Sequence, residues 1–166
     1  TPDPQGGTLV YPDSLIAMDS HTATINAMGI VGWGVGGFEG GAVAVGEPVS
    51  VLVPEVVGCR LVGALRPGVT ATDLILTITQ RMRQENVIGR FVEYFGPGVD
   101  TLPLPTRATV SNMTPECGAT MSFFPVDQET VRYLASTGRE AQQVALVEAY
   151  YRAQGMWRDP TTPVPA

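Results

Sequence analysis

Hydrophobic and polar positions along the chain alternate between short apolar runs and stretches with helical spacing. The clearest pattern predicts a helix over 70–84, because Thr70 is a favoured N-cap residue and Asp73 follows three positions later. The apolar face of this helix carries Leu74, Ile75, Ile78 and Met82. Charged side chains occupy the opposite face, so the helix is expected to cover a core on one side only.

The rest of the pattern predicts strands and helices in alternation. Strands or extended runs are predicted over 8–18, 49–53, 56–65, 87–95 and 121–124. Further helices are predicted over 22–28, 104–113, 127–137 and 140–154, the last two ending before glycines. This alternation favours an α/β fold, in which helices flank a mixed, largely parallel sheet in layers.

The two ends of the chain differ in composition from the middle. Residues 1–7 and 159–166 are rich in Pro, Gly and Thr and lack apolar periodicity, so both are predicted to be tails. Residues 8–158 are predicted to form a single domain. Of the 166 residues, 44% are apolar, which is enough for one sizeable core.

Charge and apolar run length exclude several classes of partner. Sixteen acidic residues against ten basic ones give a net charge of −6, so no basic surface is expected for nucleic acid or for anionic membrane. No apolar run reaches the roughly 18 residues that a membrane-spanning helix needs. The sequence therefore predicts a cytoplasmic protein.

Metal-ligating side chains are scarce. Cys59 and Cys117 lie far apart, and His21 is the single histidine. A structural zinc site usually takes about four Cys or His ligands, so neither a zinc site nor a disulfide framework is expected. The cysteines are expected to be free thiols.

The densest set of chemically useful side chains is Asp19-Ser20-His21, at a predicted strand-to-helix junction. A carboxylate, a hydroxyl and an imidazole together are suited to acid–base chemistry. The same residues also fit a structural role, in which Asp19 or Ser20 caps the following helix and His21 satisfies a backbone carbonyl. Residue spacing alone leaves both interpretations open.

Two further segments resemble parts of functional motifs. The glycine-rich stretch 32–37 resembles a phosphate-binding loop in composition but lacks the Lys-Ser/Thr ending, so close backbone packing is the favoured interpretation. Glu116 lies in a predicted turn between Pro115 and Gly118. Such a turn either holds a carboxylate in a cleft or lies on the solvated surface.

Seven segments spread over the chain carry a resemblance to a known family. They are Tyr11-Pro12-Asp13-Ser14, Asp19-Ser20-His21-Thr22, Gly29 to Gly37, Gly46-Glu47-Pro48-Val49-Ser50, Gly68 to Asp73, Gly89-Arg90-Phe91-Val92-Glu93, and Asn112 to Asp127. Together they resemble the aconitase family, in its aconitase A and iron regulatory protein branch. The resemblance covers nearly the whole chain, which corresponds to one internal segment of a much longer protein. It implies a layered α/β architecture around a cleft for a small polycarboxylate.

The resemblance also implies roles for individual residues. His21, Glu116 and Asp19 correspond to catalytic positions, with His21 paired to Glu116 to manage the proton on the substrate hydroxyl or leaving water. Ser20 would contact a substrate carboxylate. Asn112 and Thr22 correspond to neighbouring substrate-binding positions. A carboxylate beside an imidazole stabilises its protonated form and fixes its orientation, which suits a general acid.

The departures from the family pattern are as informative as the matches. The resemblance implies a four-iron, four-sulfur cluster held by three cysteines in segments beyond residue 166, so this chain is expected to supply no cofactor or metal ligand itself. The family's serine base and substrate-clamping arginines are also missing. Gly41, Cys117 and Met121 stand where the family often has other residues.

Two hypotheses follow for the function. In the first, the chain is a lyase or isomerase module that acts alone on a small polycarboxylate or unsaturated acid, without a cluster of its own. In the second, it is a non-catalytic part of a larger aconitase. The expected partners are a small carboxylate and either a second copy of the chain or the remainder of such an aconitase.

Overall fold

A computed structural model describes residues 1–163. Its strands are β1 (Ser14–Ala17), β2 (Val31–Gly34), β3 (Val56–Arg60), β4 (Phe91–Phe95) and β5 (Met121–Phe123). Its α-helices are α1 (Gly37–Ala44), α2 (Ala71–Gln84), α3 (Leu104–Met113), α4 (Gln128–Ser136) and α5 (Ala141–Ala153). Short 3-10 helices span Thr22–Met28, Pro97–Thr101 and Thr114–Cys117. The first of these follows the Asp-Ser-His motif and is called the motif helix below.

The strands form two parallel sheets. β1 pairs with β2, with Ser14 opposite Val31, and β4 lies between β3 and β5. Parallel neighbours need crossover connections, which are supplied by the motif helix, α2 and α3. The α/β fold with helices flanking parallel strands is therefore confirmed, although the strands divide between two sheets.

A row of aromatic rings joins the two sheets. Trp33 of β2 meets Phe91 of β4 edge to face with ring centroids 5.4 Å apart, and Phe91 meets Phe123 of β5 at 5.5 Å. Edge-to-face contacts of this kind add stability beyond the area that they bury. The row fixes the small sheet, and the motif that follows β1, against the larger sheet.

The main core lies between α2 and the three-stranded sheet. Ile75 and Ile78 of α2 are buried, as are Val92 and Tyr94 of β4. The predicted cap of α2 is present, because Thr70 Oγ1 accepts from the Asp73 N–H at 3.2 Å and the Asp73 carboxylate accepts from the Thr70 N–H at 2.8 Å. This capping box and the apolar face confirm the helix predicted over 70–84.

A buried ion pair joins α3 to the start of α4. Arg107 is fully buried, and its Nη2 lies 2.8 Å from Oδ2 of Asp127. The same guanidinium donates to the carbonyls of Leu102 and Val99. Oδ1 of Asp127 caps α4 by accepting from the N–H groups of residues 129 and 130. One carboxylate thus serves a helix cap and a buried cation together.

The structure corrects part of the predicted pattern. The run 49–53 is not a strand, and Leu52 and Val53 are 93% and 94% exposed. Gly37–Ala44, which follows β2, is an α-helix without a buried residue. Among residues 1–163, no helix combines the length and apolar character needed to cross a membrane. The domain limits at 8 and 158 stay predictions, and residues 164–166 of the predicted C-terminal tail lie outside the described residues.

Candidate active site

Asp19 organises the turn between β1 and the motif helix. Its Oδ1 accepts from the His21 N–H at 2.7 Å, and its carbonyl accepts from the N–H and the hydroxyl of Thr22 at 3.1 and 2.5 Å. These bonds satisfy backbone groups at the start of a helix that has no side-chain cap at His21. The structural role considered for Asp19 is therefore present. The Thr22 hydroxyl donates to the Asp19 carbonyl within this turn, so a contact between Thr22 and substrate stays a prediction.

The same carboxylate also holds the imidazole of His21. Nδ1 of His21 lies 3.2 Å from Oδ1 of Asp19 and 3.3 Å from Oγ of Ser20. The His21 and Asp19 side chains are 72% and 71% exposed, so this contact contributes little stability. Its effect is on orientation, because a carboxylate at Nδ1 favours the proton on that nitrogen and leaves Nε2 for a reacting group.

A cavity of about 350 Å³ opens beside this motif. Its polar wall is formed by Asp19, His21, Thr22 and Thr24. Its apolar wall includes Leu15, Ile25, Met28, Leu104 and Tyr133. A cavity with few convergent polar groups on an apolar wall is typical of small-molecule sites. A second cavity, of about 450 Å³, shares Ile25 and Met28 but lies against α5, away from His21.

Asn26 and Gly32 fix the motif helix to β2. The Asn26 side-chain carbonyl accepts from the Gly32 N–H at 2.6 Å. A Cβ at Gly32 would lie 2.5 Å from the carbonyl oxygen of Thr22, so glycine is required for this approach. Close backbone packing, the favoured interpretation of the glycine-rich stretch, is confirmed at Gly32.

Asn112 lies against the site on helix α3. Its Oδ1 accepts from the Thr24 hydroxyl at 2.9 Å. Residues three apart eclipse each other on a 3-10 helix, so Thr24 lies on the same side of the motif helix as His21. Thr24 does not stand out in the sequence, because the pattern over 22–28 does not distinguish a 3-10 helix from an α-helix.

Glu116 is an exposed residue of the 3-10 helix Thr114–Cys117, in which Thr114 and Cys117 are buried. Its carbonyl accepts from Nη2 of Arg83 at 2.7 Å, which ties this turn to α2. Among residues 1–163, the hydrogen-bond partners of the His21 ring are Asp19 and Ser20. The contact predicted between His21 and Glu116 is therefore not made in this structure. Nδ1 of His21 contacts the neighbouring Asp19 carboxylate instead. The turn that carries Glu116 is bonded to Arg83 of α2.

The structure is thus a parallel α/β fold in which an imidazole, a carboxylate and hydroxyl groups lie at the rim of one cavity. A comparison with protein families matches residues 3–166 to the Aconitase family (aconitate hydratase). The chain is 58% identical over 154 residues to aconitate hydratase A of Legionella pneumophila. The corresponding values are 57% over 159 residues for the Deinococcus radiodurans protein and 56% over 155 residues for the Escherichia coli protein.

These matches cover 93%, 96% and 93% of this chain. The chain belongs to the aconitase family, which confirms the resemblance found in the sequence. It spans 17%, 18% and 17% of the lengths of the three relatives. The relatives are hydratases, which are enzymes of the hydro-lyase kind.

The family implies a four-iron, four-sulfur cluster in its full-length members, and the residues present here do not fit such a group. Cluster ligands are thiolates, whereas burial raises the pKa of Cys59. Desolvation also raises the pKa of Cys117, although hydrogen bonds from backbone N–H groups and the Arg83 charge oppose it. The Cys117 thiol donates to the Thr114 carbonyl at 2.8 Å. Within the described part of the chain, no three His, Cys, Asp or Glu side chains are placed to hold a metal ion.

Proposed function

We propose that this chain forms the carboxylate-binding and proton-transferring part of a hydro-lyase of the aconitate hydratase type. The observation that carries the proposal is the arrangement at His21, whose Nδ1 lies within reach of both Asp19 and Ser20 at the rim of one cavity. The proposed substrate is a small polycarboxylate or the unsaturated acid formed from it by loss of water. Family membership supports this substrate class, because the relatives are aconitate hydratases.

The proposed chemistry follows from the orientation of the imidazole. In the dehydration direction, a proton leaves carbon, a carbon–carbon double bond forms, and the hydroxyl departs with a second proton as water. Protonated His21, held by Asp19 at Nδ1, gives that second proton from Nε2 as a general acid. In the hydration direction, Nε2 takes a proton from the attacking water. The Ser20 hydroxyl donates a hydrogen bond to a substrate carboxylate.

The carbon-bound proton needs a second base. The resemblance assigns that role to a serine that this chain lacks, and Glu116 is not bonded to His21 here. The catalytic role of Glu116 therefore stays a prediction, and we assign it no step. No step is assigned to a cluster either, because the cysteines of this chain do not fit one. We propose a cytoplasmic location, with both cysteines as free thiols.

In a second candidate function, the chain binds the carboxylate but has no turnover by itself, because catalysis needs additional polypeptide. Its support is the apolar surface left uncovered, since Phe38 is 88% exposed and Leu52 and Val53 are almost fully exposed. Large exposed apolar side chains are available to pack against another polypeptide. The covering surface would come from the remainder of a larger aconitase or from a second copy of this chain.

One experiment tests both candidates. The purified chain is titrated with tricarballylate, a non-reactive tricarboxylate, while the NMR signals of Ser20 and His21 are followed. Water addition to cis-aconitate is then measured by the loss of double-bond absorbance. We expect the probe to shift both signals, Ser20→Ala to weaken binding, and His21→Ala to lower turnover by roughly 10²- to 10⁴-fold. Ser50→Ala, at an exposed position, is the matched control and should behave as the parent chain.

The possible outcomes separate the two candidates. Binding with turnover supports the first candidate, in which His21 transfers a proton. Binding without turnover supports the second candidate. If tricarballylate shifts neither signal, the carboxylate-binding proposal fails.

A further inference from the structure

One face of the larger sheet carries a carboxylate beside aromatic side chains. Successive side chains of a strand point to opposite faces, and the residues on either side of Glu93 in β4 are buried in the core. Glu93 and Phe95 therefore lie on the face that is turned away from this core. In the parallel register, Glu93 lies opposite Phe123 of β5 on one side and opposite Gly58 of β3 on the other.

The missing side chain at Gly58 leaves room that Phe95 fills. A Cβ at Gly58 would lie 2.9 Å from Cε1 of Phe95, so the Phe95 ring leans over the backbone of β3. Phe95 and Phe123 are half-buried, whereas Glu93 is exposed. Arg60, which lies opposite Phe95 in the register, lines a separate cavity against α2. Aromatic rings therefore flank Glu93 on the side of β3 and on the side of β5.

Glu93, Phe95 and Phe123 line a cavity of about 510 Å³ at the carboxyl ends of β4 and β5. Its opposite wall belongs to the segment 155–163, which is attached where Trp157 pairs with Val126. The carboxyl ends of parallel strands are a common place for ligands in α/β proteins. This cavity shares no lining residue with the cavity beside His21, so it is a separate candidate site.

The lining of this cavity has an excess of negative charge. Among residues 1–163, no basic side chain forms a salt bridge with Glu93. Arg158, which also lines the cavity, is balanced by Asp100, whose two carboxylate oxygens accept from Nε and Nη2 at 2.8 Å each. Asp159 adds a second carboxylate to the lining, bonded to the N–H and the hydroxyl of Thr161.

Negative charge and aromatic surface together favour a cation whose own surface is apolar. Aromatic faces attract cations, and the Trp157 ring of this lining already has the Arg152 guanidinium 4.4 Å from its centroid. A primary ammonium carries three N–H donors, and each donor left unpaired in a cavity costs free energy. A quaternary ammonium has no N–H donor, so it gains from the rings and from Glu93 without that cost.

We propose that the cavity lined by Glu93, Phe95 and Phe123 is a binding site for a small quaternary ammonium ligand. The methyl groups of the cation lie against the two rings, and its positive charge lies beside the Glu93 carboxylate. The site is independent of the function proposed for His21, because that function takes an anionic substrate in another cavity.

The test uses choline as the probe and 3,3-dimethylbutan-1-ol as its uncharged counterpart, which has carbon in place of nitrogen. Each is titrated into the ¹⁵N-labelled chain at constant ionic strength, while the signals of Glu93, Phe123, Trp157 and His21 are followed. We expect choline to shift the first three and to leave His21 unchanged. Choline should bind about threefold to thirtyfold more tightly than the alcohol, the range that cation–π contacts give.

Three variants assign this preference to residues. Glu93→Gln keeps the size of the side chain without its charge, and should weaken choline binding by about twofold to fivefold while alcohol binding stays the same. Phe95→Leu keeps an apolar side chain without the ring, and should lower the preference for choline over the alcohol. Glu47→Gln removes an exposed carboxylate outside the lining. It is the matched control and should bind both probes as the parent chain does.

Two results would overturn the inference. Equal affinity for the two probes, or no response of Glu93 and Phe123 to choline, would show that the cavity does not recognise a cation. Unchanged choline binding in Glu93→Gln would show that this carboxylate is not part of a cation site, and that variant removes no packed group, so its result holds even if Phe95→Leu is unstable. Either result leaves the function proposed for His21 intact.

Discussion

Gly32 determines how closely the motif helix approaches β2. An ideal Cβ there would lie 2.5 Å from the Thr22 carbonyl oxygen and 2.6 Å from Cγ2 of Ile25. A backbone oxygen cannot move aside without shifting the helix that follows the motif. We expect Gly32→Ala to lower the free energy of unfolding by about 2 kcal/mol, measured by urea denaturation, and to shift the amide signals of the motif.

Gly34 provides a matched control in the same strand. A Cβ at Gly34 meets nothing within 4 Å, so Gly34→Ala should change the free energy of unfolding by less than about 0.5 kcal/mol. Equal losses in the two variants would contradict a specific role for the close approach at Gly32.

Arg107 is a fully buried charged residue that donates to three acceptors in the interior. Arg107→Met keeps most of the side-chain volume but leaves Asp127 without its cation and two backbone carbonyls without their donor. Breaking one side of a buried ion pair costs about 3–5 kcal/mol, and we expect a loss of that size in urea denaturation. Arg132→Met breaks an exposed pair with Glu129 and should cost less than about 1 kcal/mol. Similar losses in both variants would refute this assignment.

Among the elements, α2 should make a contribution to the stability of the fold that depends on pH, because the Asp73 carboxylate is part of its capping box. The backbone N–H of Thr70, followed by its hydroxyl, holds the pKa of Asp73 below its ordinary value of 3.8. Stability from a lowered carboxylate pKa is complete above the ordinary pKa and is lost as pH falls through the folded pKa. We therefore expect Asp73→Asn to melt at a lower temperature than the parent chain at pH 7, with the difference shrinking below about pH 4. A difference that stays constant with pH would contradict this.

Local signals in the sequence are sufficient to predict several elements. The helices predicted over 70–84, 104–113 and 140–154 agree with α2, α3 and α5 to within a residue or two, because caps, terminal glycines and apolar spacing act within one element. The strand predicted over 49–53 is wrong, since a strand also needs a partner from elsewhere in the chain. An apolar sequence does not show whether the fold supplies one.

The candidate site also has a part that the sequence predicts and a part that it does not. Asp19, Ser20 and His21 are neighbours in sequence, so their grouping is evident from the order of the residues alone. The bond of Thr24 to Asn112 and that of Arg83 to Glu116 join residues 88 and 33 positions apart. Such contacts depend on how α2 and α3 pack, which side-chain periodicity does not determine.

For the molecule as a whole, the uncovered apolar surface predicts self-association. We expect the parent chain to bind a hydrophobic dye and to show concentration-dependent association in sedimentation. The double variant Leu52→Ser, Val53→Ser should reduce both effects without lowering the melting temperature, because neither side chain is packed. Leu76→Ser, at an isolated exposed position on α2, is the control and should change neither. Unaltered association in the double variant would show that another surface is responsible.

The small size of the two-stranded sheet affects how much of the time the Asp-Ser-His motif is folded. A pair of strands is marginally stable by itself, so β1 and β2 depend on the Trp33–Phe91 contact and on the packing of the motif helix. Brief local openings of this unit would expose the amides of residues 19–26 to hydrogen exchange while Val92 and Tyr94 in β4 stay protected. A ligand held by Ser20 and His21, as proposed, would bind the closed form alone and would slow that exchange to an extent set by its own affinity. The fraction of time that the smallest sheet spends closed would then set the fraction of molecules that are ready to bind.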